Sequence, residues 1–230
     1  RLSINQRRSC GICHEQIKGF TDGFVQPVGT FDNLLVHNTP TLTNVAWRES
    51  LTWLPLGQSH LEEQMLTPLL SDDPIEMGMG GQESLLLDRL RALSIYQTLF
   101  PAAFPEDQDP FTLHNITLAI GSFQRTLISA WAPYDQYVSG YENAMSESAK
   151  RGMELFFGPK MKCFQCHSGP QFDSPADEAG NVLAAHGYFN TGLYDLDGQG
   201  TYPDRAHGAI EVTGRPEDMG KFRTPTLRNL

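Results

Sequence analysis

All four cysteines of the chain lie in two copies of one pattern, Cys10-Gly11-Ile12-Cys13-His14 and Cys163-Phe164-Gln165-Cys166-His167. In a Cys-x-x-Cys-His pattern the two thiols can add across the two vinyl groups of one haem. The adjacent histidine then reaches the iron as its proximal ligand. The sequence therefore predicts two covalently bound c-type haems, attached through Cys10, Cys13, Cys163 and Cys166 and ligated by His14 and His167.

Other uses of paired cysteines fit this sequence less well. A thioredoxin-like redox pair expects a βαβ context, which the sequence lacks. A four-cysteine zinc site expects the two pairs close together in sequence, whereas most of the chain separates them. A structural disulfide within each motif stays open, although it gives the two histidines no role. Because c-type haems are attached outside the cytoplasm, the haem interpretation also predicts a periplasmic protein.

The composition is that of a globular protein, and it argues against both a nucleic-acid partner and a transmembrane segment. The chain has 230 residues, of which 40% are hydrophobic and 19% charged, and its net charge is -10. A nucleic-acid partner is not expected, because an acidic chain does not neutralise a phosphate backbone. No stretch reaches the roughly 18 apolar residues of a membrane span, so no transmembrane segment is expected.

An internal repeat indicates two related domains. The first Cys-x-x-Cys-His motif is followed by Thr39-Pro40-Thr41-Leu42-Thr43-Asn44-Val45, and the second by Thr224-Pro225-Thr226-Leu227-Arg228-Asn229-Leu230. We place the domains at residues 1–145 and 146–230. The first residue is not methionine and the first motif follows almost at once, so we interpret the chain as a piece of a longer protein.

Helices joined by long loops account for the rest of the pattern. Residues 84–100 are rich in Leu and Arg and predict a helix that Pro101 ends. Thr112 and Ser146 are predicted N-caps of two further helices, the first with an apolar face that includes Ile116, Ile120 and Phe123. Residues 168–221 predict a long ordered loop with a short hairpin. The expected fold class is all-α, with two tandem cytochrome c-like haem domains and long ordered loops.

Several motifs of the connecting segment resemble the bacterial dihaem cytochrome c peroxidase and MauG superfamily. They are Gly19-Phe20-Thr21-Asp22-Gly23, His37-Asn38-Thr39-Pro40-Thr41-Leu42, Leu51-Thr52-Trp53, Leu61-Glu62-Glu63-Gln64 and Pro74-Ile75-Glu76-Met77-Gly78-Met79. Within that superfamily, residues 189–194 and 211–220 are most similar to the MbnH-like dihaem enzymes associated with copper homeostasis. The resemblance covers essentially the whole chain.

The resemblance implies roles for four further residues. Trp53 matches the tryptophan between the two haems, where an indole can relay electrons. Gln64 and Glu76 match the polar pair on the distal side of the peroxidatic haem, where a carboxylate can move a proton between the two oxygens of peroxide. Asn38 matches a side-chain ligand of a calcium ion. The first domain is then the peroxidatic one and the second the electron-transfer one.

The implied function is a periplasmic dihaem oxidase. Hydrogen peroxide forms a high-valent dihaem state, which oxidises a residue of a partner protein, expected to be a tryptophan, by long-range electron transfer. The alternative is a dihaem cytochrome c peroxidase that reduces hydrogen peroxide with electrons from a small redox protein. A plain dihaem electron carrier is a third possibility, but it would need no distal pair such as Gln64 and Glu76.

One departure from the ordinary peroxidases favours the oxidase. Those enzymes carry a histidine in the loop shortly after the first proximal histidine, where it caps the first iron until the enzyme is reduced. Residues 15–36 of this chain contain no histidine. The resemblance therefore implies that the first haem is open from the start, as in MauG-like enzymes.

Overall fold

A computed structural model describes residues 1–183 and 187–229. The described residues are mainly helical, as predicted, with one short pair of strands. The α-helices, in chain order, are α1 (Cys10–Cys13), α2 (Leu61–Gln64), α3 (Leu66–Leu70), α4 (Glu83–Arg91), α5 (Ser94–Ala103), α6 (Leu113–Gln124), α7 (Pro133–Val138), α8 (Glu147–Phe157) and α9 (Ile210–Thr213). Short 3-10 helices span Gln16–Lys18, Val45–Trp47, Cys163–Gln165 and Pro216–Asp218. The strands are β1 (Tyr188–Asn190) and β2 (Lys221–Arg223).

The backbone divides into two compact units. The first consists of Arg1–Thr52 and Gly57–Leu127, and the second of Trp53–Leu56 and Ile128–Leu230. Each unit carries one Cys-x-x-Cys-His motif. The predicted haem-domain boundary after residue 145 stays a prediction, because these units reflect backbone compactness and not the haem that a residue contacts.

The core of the first unit forms between α3, α4, α5 and α6. Its buried residues are Leu69, Met79, Leu86, Leu90, Phe100, Phe111 and Ile116. The prediction of a single helix over residues 84–100 is wrong. The segment forms two helices, α4 and α5, because the backbone is extended at Leu93 between them. Pro101 lies inside α5 instead of ending it. Since the helix ends two residues later, the N–H that proline lacks costs one hydrogen bond near the helix end and does not break the helix.

The cap predicted for α6 is confirmed, and its apolar face is confirmed in part. The Thr112 hydroxyl accepts a hydrogen bond from the Asn115 N–H at 3.1 Å, which satisfies one of the free donors at the helix start. Ile116 is buried and Ile120 packs against the core, but Phe123 is 60% exposed. The apolar stripe is therefore narrower than the sequence indicates.

The second unit contains α7, α8 and a loop-rich segment in which strands β1 and β2 pair. Ser146 caps α8, as predicted, by accepting from the Ala149 N–H at 3.2 Å. Strands β1 and β2 pair antiparallel, with Tyr188 opposite Arg223. The short hairpin predicted within residues 168–221 is wrong, because residues 191–220 separate the two strands and β2 extends past residue 221. Ala184, Ala185 and His186 of this segment, and Leu230 at the end of the repeat, lie outside the described residues.

Among the residues that the structure describes, no helix combines the length and the apolar character needed to cross a membrane.

Candidate functional site

Each of the two Cys-x-x-Cys-His motifs forms a single helical turn, which is α-helical in the first motif and begins as a 3-10 helix in the second. The His14 N–H donates to the Cys10 carbonyl at 2.8 Å, and the His167 N–H donates to the Cys163 carbonyl at 2.9 Å. This i to i+4 bond brings both cysteines and the histidine of each motif onto consecutive positions of one turn. Such a turn can present two thiols and one imidazole to the same flat ligand.

Each histidine ring is oriented by a backbone carbonyl. His14 Nδ1 lies 2.9 Å from the Phe20 carbonyl oxygen, and His167 Nδ1 lies 2.8 Å from the Phe172 carbonyl oxygen. Because a carbonyl can only accept, Nδ1 must carry the proton in both rings, which leaves the Nε2 lone pair available. This is the tautomer that an imidazole needs to ligate iron, with the outer hydrogen bond that metal-binding histidines usually have.

Both acceptor residues have the same unusual backbone conformation. Phe20 has φ of 64° and Phe172 has φ of 53°, in the left-handed region that β-carbons disfavour. Residues held in this region commonly mark functional sites, where the surrounding structure compensates the strain. Here the strained backbone turns each phenylalanine carbonyl back toward the histidine of its motif.

The repeated threonine segments hold these two acceptor loops. The Thr41 hydroxyl donates to the Gly19 carbonyl, and the Thr226 hydroxyl donates to the Gln171 carbonyl. In each case the bonded carbonyl belongs to the residue just before the acceptor phenylalanine. The same arrangement therefore occurs in both copies of the repeat. In each copy the threonine segment hydrogen-bonds the acceptor loop, and a carbonyl of that loop orients the histidine ring.

The cysteines show no competing use in the described residues. All four thiols are free, so neither motif contains a disulfide. Within residues 1–183 and 187–229, no group of three or more His, Cys, Asp or Glu side chains is arranged to hold a metal ion. Burial raises the pKa of Cys13 to about 11, and the charges of Asp22 and Glu76 raise it as well.

The residues present fit covalent haem attachment. Four free thiols lie in two turns, each turn beside an imidazole with an available Nε2. Burial also lowers the pKa of His14, although the Phe20 hydrogen bond and the Asp22 charge oppose the shift, so the neutral, metal-binding form is favoured. Large apolar side chains that are exposed precede or follow the motifs, namely Ile17, Phe24, Val25, Leu155, Phe157 and Met161.

Glu76 is placed near the first motif by a turn with a firmly held backbone. The Thr30 N–H donates to the Glu76 carbonyl at 2.8 Å, and the Asn33 amide donates to the Ile75 carbonyl at 2.9 Å. Gly29 lies so close that a β-carbon there would be 2.2 Å from the Ile75 oxygen. The position therefore requires glycine.

Burial raises the pKa of Glu76 to about 7. The carboxyl group can therefore take up and release a proton at neutral pH, which is the property expected of an acid–base catalyst. The Glu76 charge also contributes to the raised pKa of Cys13, so the carboxylate lies within electrostatic reach of the first motif.

Gln64 is the last residue of α2, a helix tied to α6. The Arg125 guanidinium bonds both carboxylate oxygens of Glu62, at 2.5 and 3.0 Å, which lowers the pKa of Glu62. Gly121 allows this contact, because a β-carbon there would lie 2.5 Å from Glu62 Oε1. The half-buried Gln64 side chain therefore lies on a helix that the Glu62–Arg125 ion pair attaches to α6.

Trp53 belongs to the second unit, where it contacts a buried arginine. The Arg223 N–H donates to the Trp53 carbonyl at 3.1 Å, and Arg223 Cζ lies 5.7 Å from the centre of the indole ring. Arg223 is only 3% exposed, and burial lowers its pKa although the Asp173 and Tyr188 charges oppose the shift. The half-buried indole therefore has a fixed cation over one face.

Asn38 is exposed and directly precedes Thr39, which is buried. The Thr39 hydroxyl donates to the Asp22 carboxylate at 2.9 Å. The charge of Asp22, which is 2% exposed, opposes the lowering of the His14 pKa by burial and adds to the raising of the Cys13 pKa by burial. Sequence reasoning gave Asp22 no role, although its place in Gly19-Phe20-Thr21-Asp22-Gly23, just after the first motif, could have indicated one.

Known proteins resemble this chain over nearly all of its length. A family model described as di-haem cytochrome c peroxidase matches residues 1–143. The methylamine utilization protein MauG of Methylorubrum extorquens is 34% identical over 235 residues, which cover 100% of this chain and 58% of that protein. Cytochrome c551 peroxidase of Pseudomonas aeruginosa is 28% identical over 230 residues, which cover 100% of this chain and 61% of that protein.

A solved structure is similar in both sequence and fold. The crystal structure of a MauG-like protein associated with microbial copper homeostasis superposes with a TM-score of 0.90 and 40% sequence identity, covering 99% of this chain and 65% of that one. The chain thus spans between 58% and 65% of the length of these relatives. Two histidine turns of identical design and a family match over more than half of its residues place the chain in the di-haem cytochrome c peroxidase and MauG family.

Proposed function

We propose that the protein to which this chain belongs is a periplasmic dihaem oxidase, which uses hydrogen peroxide to oxidise a residue of a partner protein. The observation that carries the proposal is the combination of two equivalent histidine turns with a half-buried, titratable carboxyl group near the first of them. The turns supply two redox sites, and Glu76 gives the first one the means to handle a proton.

The chain contains the thiols and imidazoles that would attach and ligate two haems. Cys10 and Cys13, and likewise the cysteines of the second motif, would form the thioether bonds, and the Nε2 atoms of His14 and His167 would ligate the irons. When bound, a c-type haem supplies an iron that reacts with peroxide and a conjugated ring that carries electrons. The carbonyls of Phe20 and Phe172 keep the histidines in the ligating tautomer.

Glu76 acts as the acid–base group of the first site. With a pKa of about 7, the ionised Glu76 carboxylate can accept a proton from one oxygen of hydrogen peroxide and donate it to the other oxygen. The haem held by His14, when bound, would supply the two electrons with which that second oxygen leaves as water. Because burial raises its pKa to about 7, the Glu76 carboxyl group is present in both its protonated and its ionised form at neutral pH. Gln64, on the tethered helix α2, orients the peroxide by hydrogen bonding.

Trp53 relays electrons between the two haems. Indole is far more easily oxidised than a phenyl ring, and Trp53 is held by both its backbone and its ring. The guanidinium of Arg223 over the ring disfavours a positive charge on the indole. Trp53 therefore serves as a bridge across which charge passes and not as the place where it accumulates.

The oxidase is preferred because residues 15–36 contain no histidine to cap the first iron. The similarity to a MauG-like protein associated with microbial copper homeostasis favours an MbnH-like role, with a tryptophan of the partner as the oxidised residue. Asn38 would hold a calcium ion together with backbone carbonyls and waters, which are ligands that calcium readily accepts.

The test is the reaction of the full-length ferric protein with hydrogen peroxide in the absence of any reductant. We expect a rapid change in the spectra of both haems after one equivalent of peroxide. A protein that reacts only after one haem has been reduced would contradict the oxidase proposal.

That outcome would support the second candidate, a dihaem cytochrome c peroxidase fed by a small redox protein. The match to peroxidases such as that of Pseudomonas aeruginosa, which covers 100% of this chain and 61% of that protein, favours this alternative. Steady oxidation of a reduced small cytochrome or copper protein by peroxide would distinguish it, since the oxidase should turn over such donors poorly.

A further inference from the structure

Arg228 occupies the position in the second repeat where the first repeat has Thr43. Each residue hydrogen-bonds the loop whose carbonyl accepts from the histidine of its own unit, Thr43 through a hydroxyl and Arg228 through a guanidinium group. In the first unit the Thr43 hydroxyl donates to the Gly19 carbonyl at 3.2 Å, beside the bond from Thr41. In the second unit the same position carries a guanidinium group.

The Arg228 guanidinium makes polar contacts on two sides. Its Nε donates to the Pro170 carbonyl at 2.5 Å, and its Nη1 and Nη2 donate to the two carboxylate oxygens of Asp135 at 2.9 and 2.8 Å. Its Cζ also lies 5.6 Å from the centre of the Phe172 ring. With side-chain exposures of 9% for Arg228 and 14% for Asp135, this is a largely desolvated, bidentate ion pair.

Asp135 ties this ion pair to the start of helix α7. Its Oδ2 accepts from the Ala132 N–H at 2.9 Å, and the Arg228 hydrogen bond lowers its pKa, so the carboxylate stays ionised. The neighbouring Tyr134 ring packs edge-on against the Phe172 ring at 5.1 Å. Helix α7 therefore holds the acceptor residue both directly and through Arg228.

Three consecutive residues of the acceptor loop are fixed in this way. Arg228 bonds the carbonyl of Pro170, Thr226 bonds that of Gln171, and Arg228 covers the ring of Phe172. The Phe172 carbonyl is the one that accepts from His167 Nδ1. Since Phe172 has a strained positive φ, its carbonyl keeps this direction only while the neighbouring contacts hold.

We propose that Arg228 is a positioning residue for His167. Together with Asp135 it holds the Phe172 carbonyl against His167 Nδ1–H, so that the His167 imidazole would stay hydrogen-bonded when it ligates the second haem. The first unit holds its equivalent carbonyl through threonine hydroxyls. This inference rests on the proposal that His167 ligates a haem.

The predicted effect is on the redox potential of the second haem. A hydrogen bond from Nδ1–H to a carbonyl makes the imidazole a stronger donor, which stabilises ferric iron and lowers the midpoint potential. Arg228→Lys keeps the positive charge but cannot bond Pro170 and both Asp135 oxygens together. We therefore expect Arg228→Lys to raise the midpoint of the second haem and to leave that of the first haem unchanged.

The experiment is a spectroelectrochemical titration of the full-length holoprotein, with wild type, Arg228→Lys and Arg228→Gln compared. A purely electrostatic role predicts the opposite pattern, an unchanged midpoint for Arg228→Lys and a lower one for Arg228→Gln. That pattern, an absence of any shift, or an equal shift of both haems would overturn the proposal. Arg151→Gln removes an exposed charge from α8 in the same unit and should move neither midpoint.

A second variant covers the case in which Arg228 variants do not accumulate. Asp135→Glu keeps the charge and displaces the carboxylate by one methylene, so it should raise the same midpoint by a smaller amount. An unchanged midpoint there would overturn the proposal. The intact mass of the wild type tests the underlying assumption separately: a second motif without haem would contradict the proposed function, whereas two haems with no shift would contradict this inference alone.

Discussion

Burial alters the protonation of two side chains at the first site in the same sense. It raises the pKa of Glu76 to about 7 and lowers that of His14, so both groups are shifted toward their neutral forms. For His14 the neutral form is the one that could ligate a haem iron, as proposed. For Glu76 the ionised form is needed to accept a proton from peroxide, so its charge state should limit the reaction near neutral pH.

The rate of the reaction with peroxide should therefore rise as the pH increases through about 7 in the wild type. Glu76→Gln should slow this reaction by at least ~10² and abolish its pH dependence, because the amide cannot accept the proton. Stopped-flow spectroscopy at several pH values measures both effects. Glu63→Gln, an exposed carboxylate on helix α2, is the matched control and should keep the wild-type rate.

The resting spectrum of the Glu76 variant must be compared with its rate. Glutamine keeps the shape of the side chain, so the resting haem spectrum should stay the same. A slower reaction with an altered resting spectrum would indicate a disturbed pocket and not a lost proton acceptor. An unchanged rate would contradict the proposed acid–base role of Glu76.

Trp53→Phe should retain both haems but lose the sharing of oxidising equivalents between them. Phenylalanine fills most of the indole volume, yet its ring is much harder to oxidise. After peroxide, the variant should show spectral changes confined to one haem. Trp47→Phe, at an exposed tryptophan of the first unit, is the control and should behave as the wild type. Normal spectra from Trp53→Phe would leave Trp53 with a packing role only.

The turn that carries Glu76 depends on the absence of a side chain at Gly29. A β-carbon there would lie 2.2 Å from the Ile75 oxygen and 2.5 Å from Asn33 Oδ1, so Gly29→Ala must push the turn away. We expect it to lower the free energy of unfolding by about 1–3 kcal/mol and to slow the reaction with peroxide. Denaturant unfolding and stopped-flow spectroscopy would show whether both effects occur together.

Gly152→Ala provides a comparison for that substitution. Gly152 lies within helix α8 with no atom within 4 Å of an added β-carbon. Alanine there should raise the free energy of unfolding by up to about 1 kcal/mol, because glycine costs conformational entropy in a helix. A Gly29→Ala protein as stable and as reactive as the wild type would show that the turn can shift freely.

Local signals in the sequence predicted local structure well. The caps at Thr112 and Ser146 depend on neighbouring residues, and the structure confirms them. The break at Leu93 was missed because the apolar periodicity continues across it. The nearness of Glu76 to Cys13 depends on contacts between residues far apart in sequence, such as Asn33 with Ile75, and no local pattern encodes these.

Two covalently attached haems are expected for the full-length protein. The intact mass after denaturation should exceed that of the polypeptide by two haems, because every cysteine lies in a motif and all four thiols are free. Protein from cells that mature cytochromes c would be measured, with a Cys10→Ala, Cys13→Ala variant as the control, which should carry a single haem. The polypeptide mass alone would contradict the whole proposal.

The haem at His14 should be high-spin in the resting ferric protein, either five-coordinate or bound to water. The reason is that residues 15–36 contain no histidine to serve as a sixth ligand. Electron paramagnetic resonance and optical spectra of the full-length protein would detect the high-spin signal. A wholly low-spin ferric spectrum would favour the peroxidase alternative.

The two hydroxyl-to-carbonyl bonds close chain segments of very different length. The bond from Thr41 to Gly19 joins residues 22 apart, whereas that from Thr226 to Gln171 joins residues 55 apart. Closing the longer segment costs only about 0.8 kcal/mol more, since loop entropy grows with the logarithm of length. The second copy could therefore acquire its intervening segment during evolution at little energetic cost. We expect that segment to vary among descendants of the ancestral duplication while His167 keeps its support.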